Sequence, residues 1–96
     1  MDNAKKIQVL KGQIVRYAGI DRWNQNSNLS DQDNVLSLCD KVADAKLGFA
    51  SDVAATVAKY KKASEKQAYV IAKAAVEANL NLDKFEATFE AYDDEF

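Results

Sequence analysis

Three observations predict an all-α fold, a compact bundle of about five short-to-medium helices. There is no proline, and only Gly12, Gly19 and Gly48 lack a side chain, so helix breakers are scarce. Apolar residues recur at three- and four-residue steps in successive stretches separated by polar turns. Two serines, Ser30 and Ser64, stand ahead of such stretches with an acid or amide three residues on, the pattern of helix starts. A 96-residue chain that is 48% apolar and 29% charged has the proportions of one globular domain with a single core. Residues 1–92 read as that domain, and residues 93–96 as an acidic C-terminal tip.

The first helix is expected from about Asn3 to Ile20, with Ile7, Leu10, Ile14 and Tyr17 on its inner face and Lys5, Lys11 and Arg16 opposite. The stretch WNQNSN, Trp23 to Asn28, favours turns through its asparagines and serine. A second helix should start at Ser30, with Asp33 closing a capping box. It would bury Val35, Leu36, Leu38, Cys39 and Val42 and end after Leu47 at Gly48. Ser51 reads as the cap of a short third helix, with Phe49 folding back as a hydrophobic staple and Val53, Val57 and Tyr60 in its stripe.

The clearest start lies at Ser64, where Gln67 can reach back to the cap and Glu65 sits favourably in the first turn. Ala68, Ile71, Ala72, Ala75 and Val76 then form one stripe, to an end near Asn79. Asp83 and Glu86 mark a last short helix carrying Phe85, Phe89 and Tyr92. The first, second and fourth helices should supply most of the core. Ser30 and Ser64 lie 34 residues apart, and LSDQDNVLSLCDKV aligns over ASEKQAYVIAKAAV, a spacing compatible with a helical repeat.

Composition excludes much chemistry. With no histidine and one cysteine, Cys/His zinc sets, Ser-His-Asp triads and Cys-His pairs are impossible, and three glycines make no phosphate loop. No enzyme activity and no cofactor are expected. Asp31, Asp33, Asp40 and Asp44 match no calcium-loop spacing and read as a solvated face rather than a metal site. Cys39, among apolar neighbours, reads as a core residue, and the lone cysteine fits a reducing compartment. No apolar run approaches the ~20 residues of a membrane span, and the N-terminal residues lack a signal-peptide core, so no membrane partner and a cytoplasmic location are expected.

The net charge of −2 hides alternating blocks: +3 over residues 1–22, −3 over 23–52, +3 over 53–82 and −5 over 83–96. Lysines hold phosphates through charge and counterion release, and an interleaved aromatic can stack on an unpaired base. Two sets have that composition. One is Lys59, Tyr60, Lys61, Lys62, Lys66 and Lys73; the other is Lys11, Arg16, Arg22 and Trp23. The competing reading is a solvated lysine face, with Tyr60 and Tyr69 at positions a helix would bury.

The last residues, Asp93, Asp94, Glu95 and Phe96, form an acidic tip that a small apolar pocket with a basic rim could recognise. The tip resembles the acidic, phenylalanine-ended C-terminal tips of bacterial and bacteriophage single-stranded DNA-binding proteins. That resemblance implies a tip that recruits protein partners and competes with DNA for a basic surface. The rest of the chain departs from the β-barrel of that family. Phe49, Ala50, Ser64, Glu65, Lys66 and Gln67 are also similar to a short helical segment of phage and bacterial proteins of DNA metabolism.

The function expected from these readings is that of a non-enzymatic phage or bacterial DNA-metabolism accessory protein. It would bind single-stranded nucleic acid weakly through basic helices and a protein partner through its tip. The alternative is a protein-interaction module. One version is a small phage inhibitor whose Asp31, Asp33, Asp40, Asp44 and Asp52 imitate phosphates. Another is an oligomeric component held through Phe85, Phe89 and Tyr92.

Overall fold

The computed structural model describes residues 1–19 and 28–93, and among them the fold is all-α. Helix α1 spans Asn3–Tyr17, α2 Asn28–Asp44, α3 Phe49–Tyr60, α4 Glu65–Glu77 and α5 Glu86–Asp93, the last preceded by a 3-10 turn at Asp83–Phe85. The most extensive contacts join α1 to α4 and α2 to α3, with α3 against α4 and α1 against α2 closing the ring.

Directions follow from particular contacts. Gly19, just past α1, approaches the backbone of Lys61 and Lys62, just ahead of α4. Asn3 and Lys6, at the other end of α1, share a hollow with Val76, Asn79 and Leu80. These two helices are therefore antiparallel. Gln32 near the start of α2 donates from Nε2 to the Ala18 carbonyl at 3.2 Å, which places that start beside the end of α1. The result is an up-down-up-down four-helix arrangement, with α5 lying against α1.

Each helix has a local reason to form where it does. Asp2 caps α1 by accepting from the Lys5 N–H at 2.8 Å. The helix stops at Tyr17, short of the expected end; Ile20 lies outside the described residues. In α4 both capping-box bonds form: Ser64 Oγ accepts from the Gln67 N–H at 3.1 Å and Gln67 Oε1 from the Ser64 N–H at 3.0 Å. Its other end is a Schellman motif, with Leu80 N–H on the Ala75 carbonyl, Asn79 N–H on Val76, and Asn79 left-handed at φ 54°. Ser64→Ala is expected to lower stability by ~1 kcal/mol, measurable as a reduced urea midpoint at unchanged slope.

Four expected features take another form. Helix α2 begins at Asn28, so Ser30 lies inside the first turn and is not its cap; it therefore has no role equivalent to that of Ser64. The same helix ends at Asp44, before Gly48, with Lys46 taking a left-handed conformation at φ 55°. Gly48, at φ 64°, becomes the N-cap of α3. Ser51 is buried inside α3, where its hydroxyl accepts from the Leu47 N–H and donates to the Val42 carbonyl, both at 2.7 Å. It clasps the α2–α3 turn instead of capping a helix, and Phe49, freed from any staple, is 72% exposed.

The core draws on Leu10, Ile14, Val35, Leu38, Val42, Val57, Ile71 and a run of alanines, with Phe85 and Phe89 sealing one end. Each large apolar side chain removed from water contributes about 1.5–3 kcal/mol. Leu36 is only half-buried, while Val9 and Gln32 are inside. Because Phe85 and Phe89 are consumed by the core and Tyr92 packs against it, the last helix has no apolar face left for oligomer contacts. Ahead of it, Asn81 Oδ1 accepts from the Asp83 N–H at 2.8 Å, a local side-chain turn leading into the 3-10 turn.

Candidate functional site

Two sets of basic residues, far apart in sequence, approach each other at one end of the bundle. The antiparallel pairing of α1 and α4 brings the end of α1, with Arg16, to the joint between α3 and α4, with Lys61 and Lys62. A methyl group on Gly19 would lie 3.1 Å from the Lys61 carbonyl oxygen, tight enough that the backbone there would have to give by a few tenths of an ångström. Lys61 ends α3 in a left-handed conformation, φ 53°, and its N–H closes on the Val57 carbonyl at 2.7 Å.

Lys59, Lys61, Lys62, Lys66 and Arg16 are all exposed. Tyr60 is exposed too, at 63%, and Tyr69 at 40%, so the two tyrosines expected inside stand at the surface. The reason is that the buried stripe of α3 ends at Val57 and that of α4 runs through Ala68 and Ile71, one residue or more out of phase. The Lys59 ammonium lies 5.3 Å from the centre of the Tyr60 ring and the Arg16 guanidinium 5.3 Å from that of Tyr17. These are cation–aromatic contacts at an exposed edge.

Not every basic residue joins this edge. Lys11 is five residues from Arg16, so the two point about 140° apart around α1, and Lys11 is half-buried. Lys62 lies outside α4, which starts at Glu65, and so is not in helical register with Lys66. Lys66 and Lys73 are in register, seven residues and ~10.5 Å apart on one face. Arg22 and Trp23 lie outside the described residues, as do Asp94, Glu95 and Phe96. Asp93 is the last residue of α5, not part of a separate tip.

Lys66 and Lys73 border a feature hidden in the sequence. Two adjoining hollows of about 460 and 540 Å³ run between the start of α3 and the outer face of α4. Phe49 and Val70 line both; Val53, Ala50 and Ala74 complete an apolar floor, with Tyr69 and the lysines on the rim. Phe49 is the most exposed large apolar side chain among the described residues, and it anchors this group. The signal that could have exposed it is the triad Phe49, Tyr69 and Val70, each off the buried phase of its own helix.

The acidic end occupies the opposite pole. Asp93 shares a hollow with Met1, Lys6, Glu86 and Glu90 at the beginning of α1, where the Lys6 ammonium also lies 5.7 Å from the Phe89 ring centre. Lys6 and Tyr17 are eleven residues apart, ~16 Å along α1, and the Lys61–Lys62 joint lies at the Tyr17 end.

Other candidate chemistry is absent from the described residues. No group of three or more Cys, Asp or Glu side chains lies together in a metal-binding arrangement. Asp33, Asp40 and Asp44 fall within ~40° of one another around α2 and form an acidic stripe, with Asp31 turned away. Burial, with Asp40 a lesser contributor, pushes the Cys39 thiol up to about 12. It stays protonated at neutral pH and is a core group, since the thiolate is the reactive form. No helix is long and apolar enough to cross a membrane.

Comparisons with family models, with curated proteins and with solved structures give no match to this chain.

Proposed function

We propose that this protein is a non-enzymatic accessory factor of phage or bacterial DNA metabolism that binds single-stranded nucleic acid weakly through the edge formed by Arg16, Lys59, Lys61, Lys62 and Lys66. The observation that carries this reading is the close approach of Gly19 to Lys61 and Lys62. It gathers cations from two helices at one end, beside the exposed ring of Tyr60. Ammonium and guanidinium groups there would take phosphates, and Tyr60 would stack on an unpaired base. The acidic tip, Asp93 to Phe96, would meet a protein partner.

The test is fluorescence anisotropy with a labelled twenty-residue oligothymidine at several salt concentrations. About four phosphate contacts on a single strand give a log–log salt slope near −3, a loss of roughly sixtyfold between 50 and 200 mM salt. The variant K59Q/K61Q/K62Q should bind about a hundredfold more weakly at 50 mM, with its slope reduced to about −1. A chain ending at Tyr92, which lacks the acidic residues Asp93, Asp94 and Glu95, should bind at least as tightly as the full chain at 50 mM salt. Failure to bind either single- or double-stranded DNA at low salt would sink the reading.

A protein-interaction role is favoured by a different observation, the exposed groove at Phe49.

A further inference from the structure

The outer face of α4 carries Lys66, Val70, Lys73 and Glu77 at steps of four, three and four, the spacing of a helix-pairing seam. All four line the groove, and Phe49, shared with Val70 by both hollows, stands at its middle. The order along this seam is cation, apolar, cation, anion.

We infer that the occupant of this groove is a second copy of the chain, the two α4 helices running antiparallel about a two-fold axis between Val70 and Lys73. In that register Lys66 of each copy faces Glu77 of the other, and Val70 packs on the aliphatic stem of the opposite Lys73. A parallel register would set lysine on lysine and glutamate on glutamate, a repulsion that selects against it. The two-fold relation uses one patch twice, so every charge pair counts double. Phe49, at the centre, is brought against the apolar floor of the partner and loses its contact with water. The middle of this floor, Val53, Val70, Ala50 and Ala74, is apolar and offers a nucleobase no hydrogen-bonding side chain there, the polar groups standing at the rim. One helix face is small for an interface, so the pair is a weak, reversible dimer with a Kd on the order of 10–100 μM.

Sedimentation velocity from about 5 to 500 μM tests this with the full chain and the variants K66E, E77K, K66E/E77K and F49S. Either single charge reversal is expected to raise the dimer Kd about tenfold or more, and the double reversal to restore it to within about threefold. F49S should leave a monomer throughout the range. K66E and E77K each place a charge that suits the dipole of α4, so loss of the dimer would not reflect loss of the helix. A wild-type chain that stays monomeric at 500 μM overturns the inference. So does a dimer indifferent to the single reversals, or a double reversal no better than the singles. Lys66 also belongs to the basic edge, but sedimentation is followed without nucleic acid and E77K and F49S leave that edge untouched, so the outcome is separate from that of the oligothymidine measurement.

Discussion

Replacing Ile71 by alanine is expected to destabilise the protein by about 3–4 kcal/mol, the upper part of the range for truncating a buried isoleucine. Ile71 is fully enclosed at the centre of α4, the helix that contacts α1, α2 and α3. Its neighbours on the same helix are Ala68, Ala72 and Ala75, whose single methyl groups cannot swing in to fill the space. A domain of this size commonly has only 5–15 kcal/mol of total stability. Urea unfolding followed by far-ultraviolet circular dichroism should show a large drop in midpoint with little change in slope. A loss below about 1.5 kcal/mol would mean that α4 is not the centre of the core.

Ser51→Ala should cost about 2–3 kcal/mol, more than Ser64→Ala although both remove one hydroxyl. The Ser64 hydroxyl is exposed, and water can replace it at the Gln67 N–H. Ser51 is enclosed and serves two backbone groups, the Leu47 N–H and the Val42 carbonyl. Alanine there would leave both with poor access to water, and each such group is costly when unpaired. The same urea measurement compares the two variants directly. Equal losses would show that the clasp across the α2–α3 turn is solvent-replaceable.

The legible parts of the fold were those governed by neighbours in sequence. The α4 start depends on Ser64 and Gln67 alone, and its stripe on five residues at helical spacing, so both follow from local geometry. Ser51 carries the same residue type ahead of an apolar stripe, but its role depends on where α2 stops. Lys46 takes the left-handed position that Gly48 was expected to fill, and this moves the boundary by several residues. Once Gly48 caps α3, Ser51 falls on its inner side and Phe49 on its outer side. For the candidate site, residue types were legible and their grouping was not. Arg16 and Lys62 come to the same end of the bundle only because α1 and α4 are antiparallel, a tertiary fact, and the same pairing places Asp93 at the other end. The groove escaped notice because a staple and an exposed anchor are spelled by the same phenylalanine.

The contact between Gly19 and the Lys61 carbonyl sets the arrangement of charge through a residue that has none. In mechanical terms it is a bearing surface. The end of α1 rides directly on the backbone of the α3–α4 joint, with no side chain between them to act as a cushion. The height of the α1 end over this joint is thus set largely by main-chain atoms. A bulkier residue at this point would act as a shim, spreading the cations while leaving the net charge unchanged.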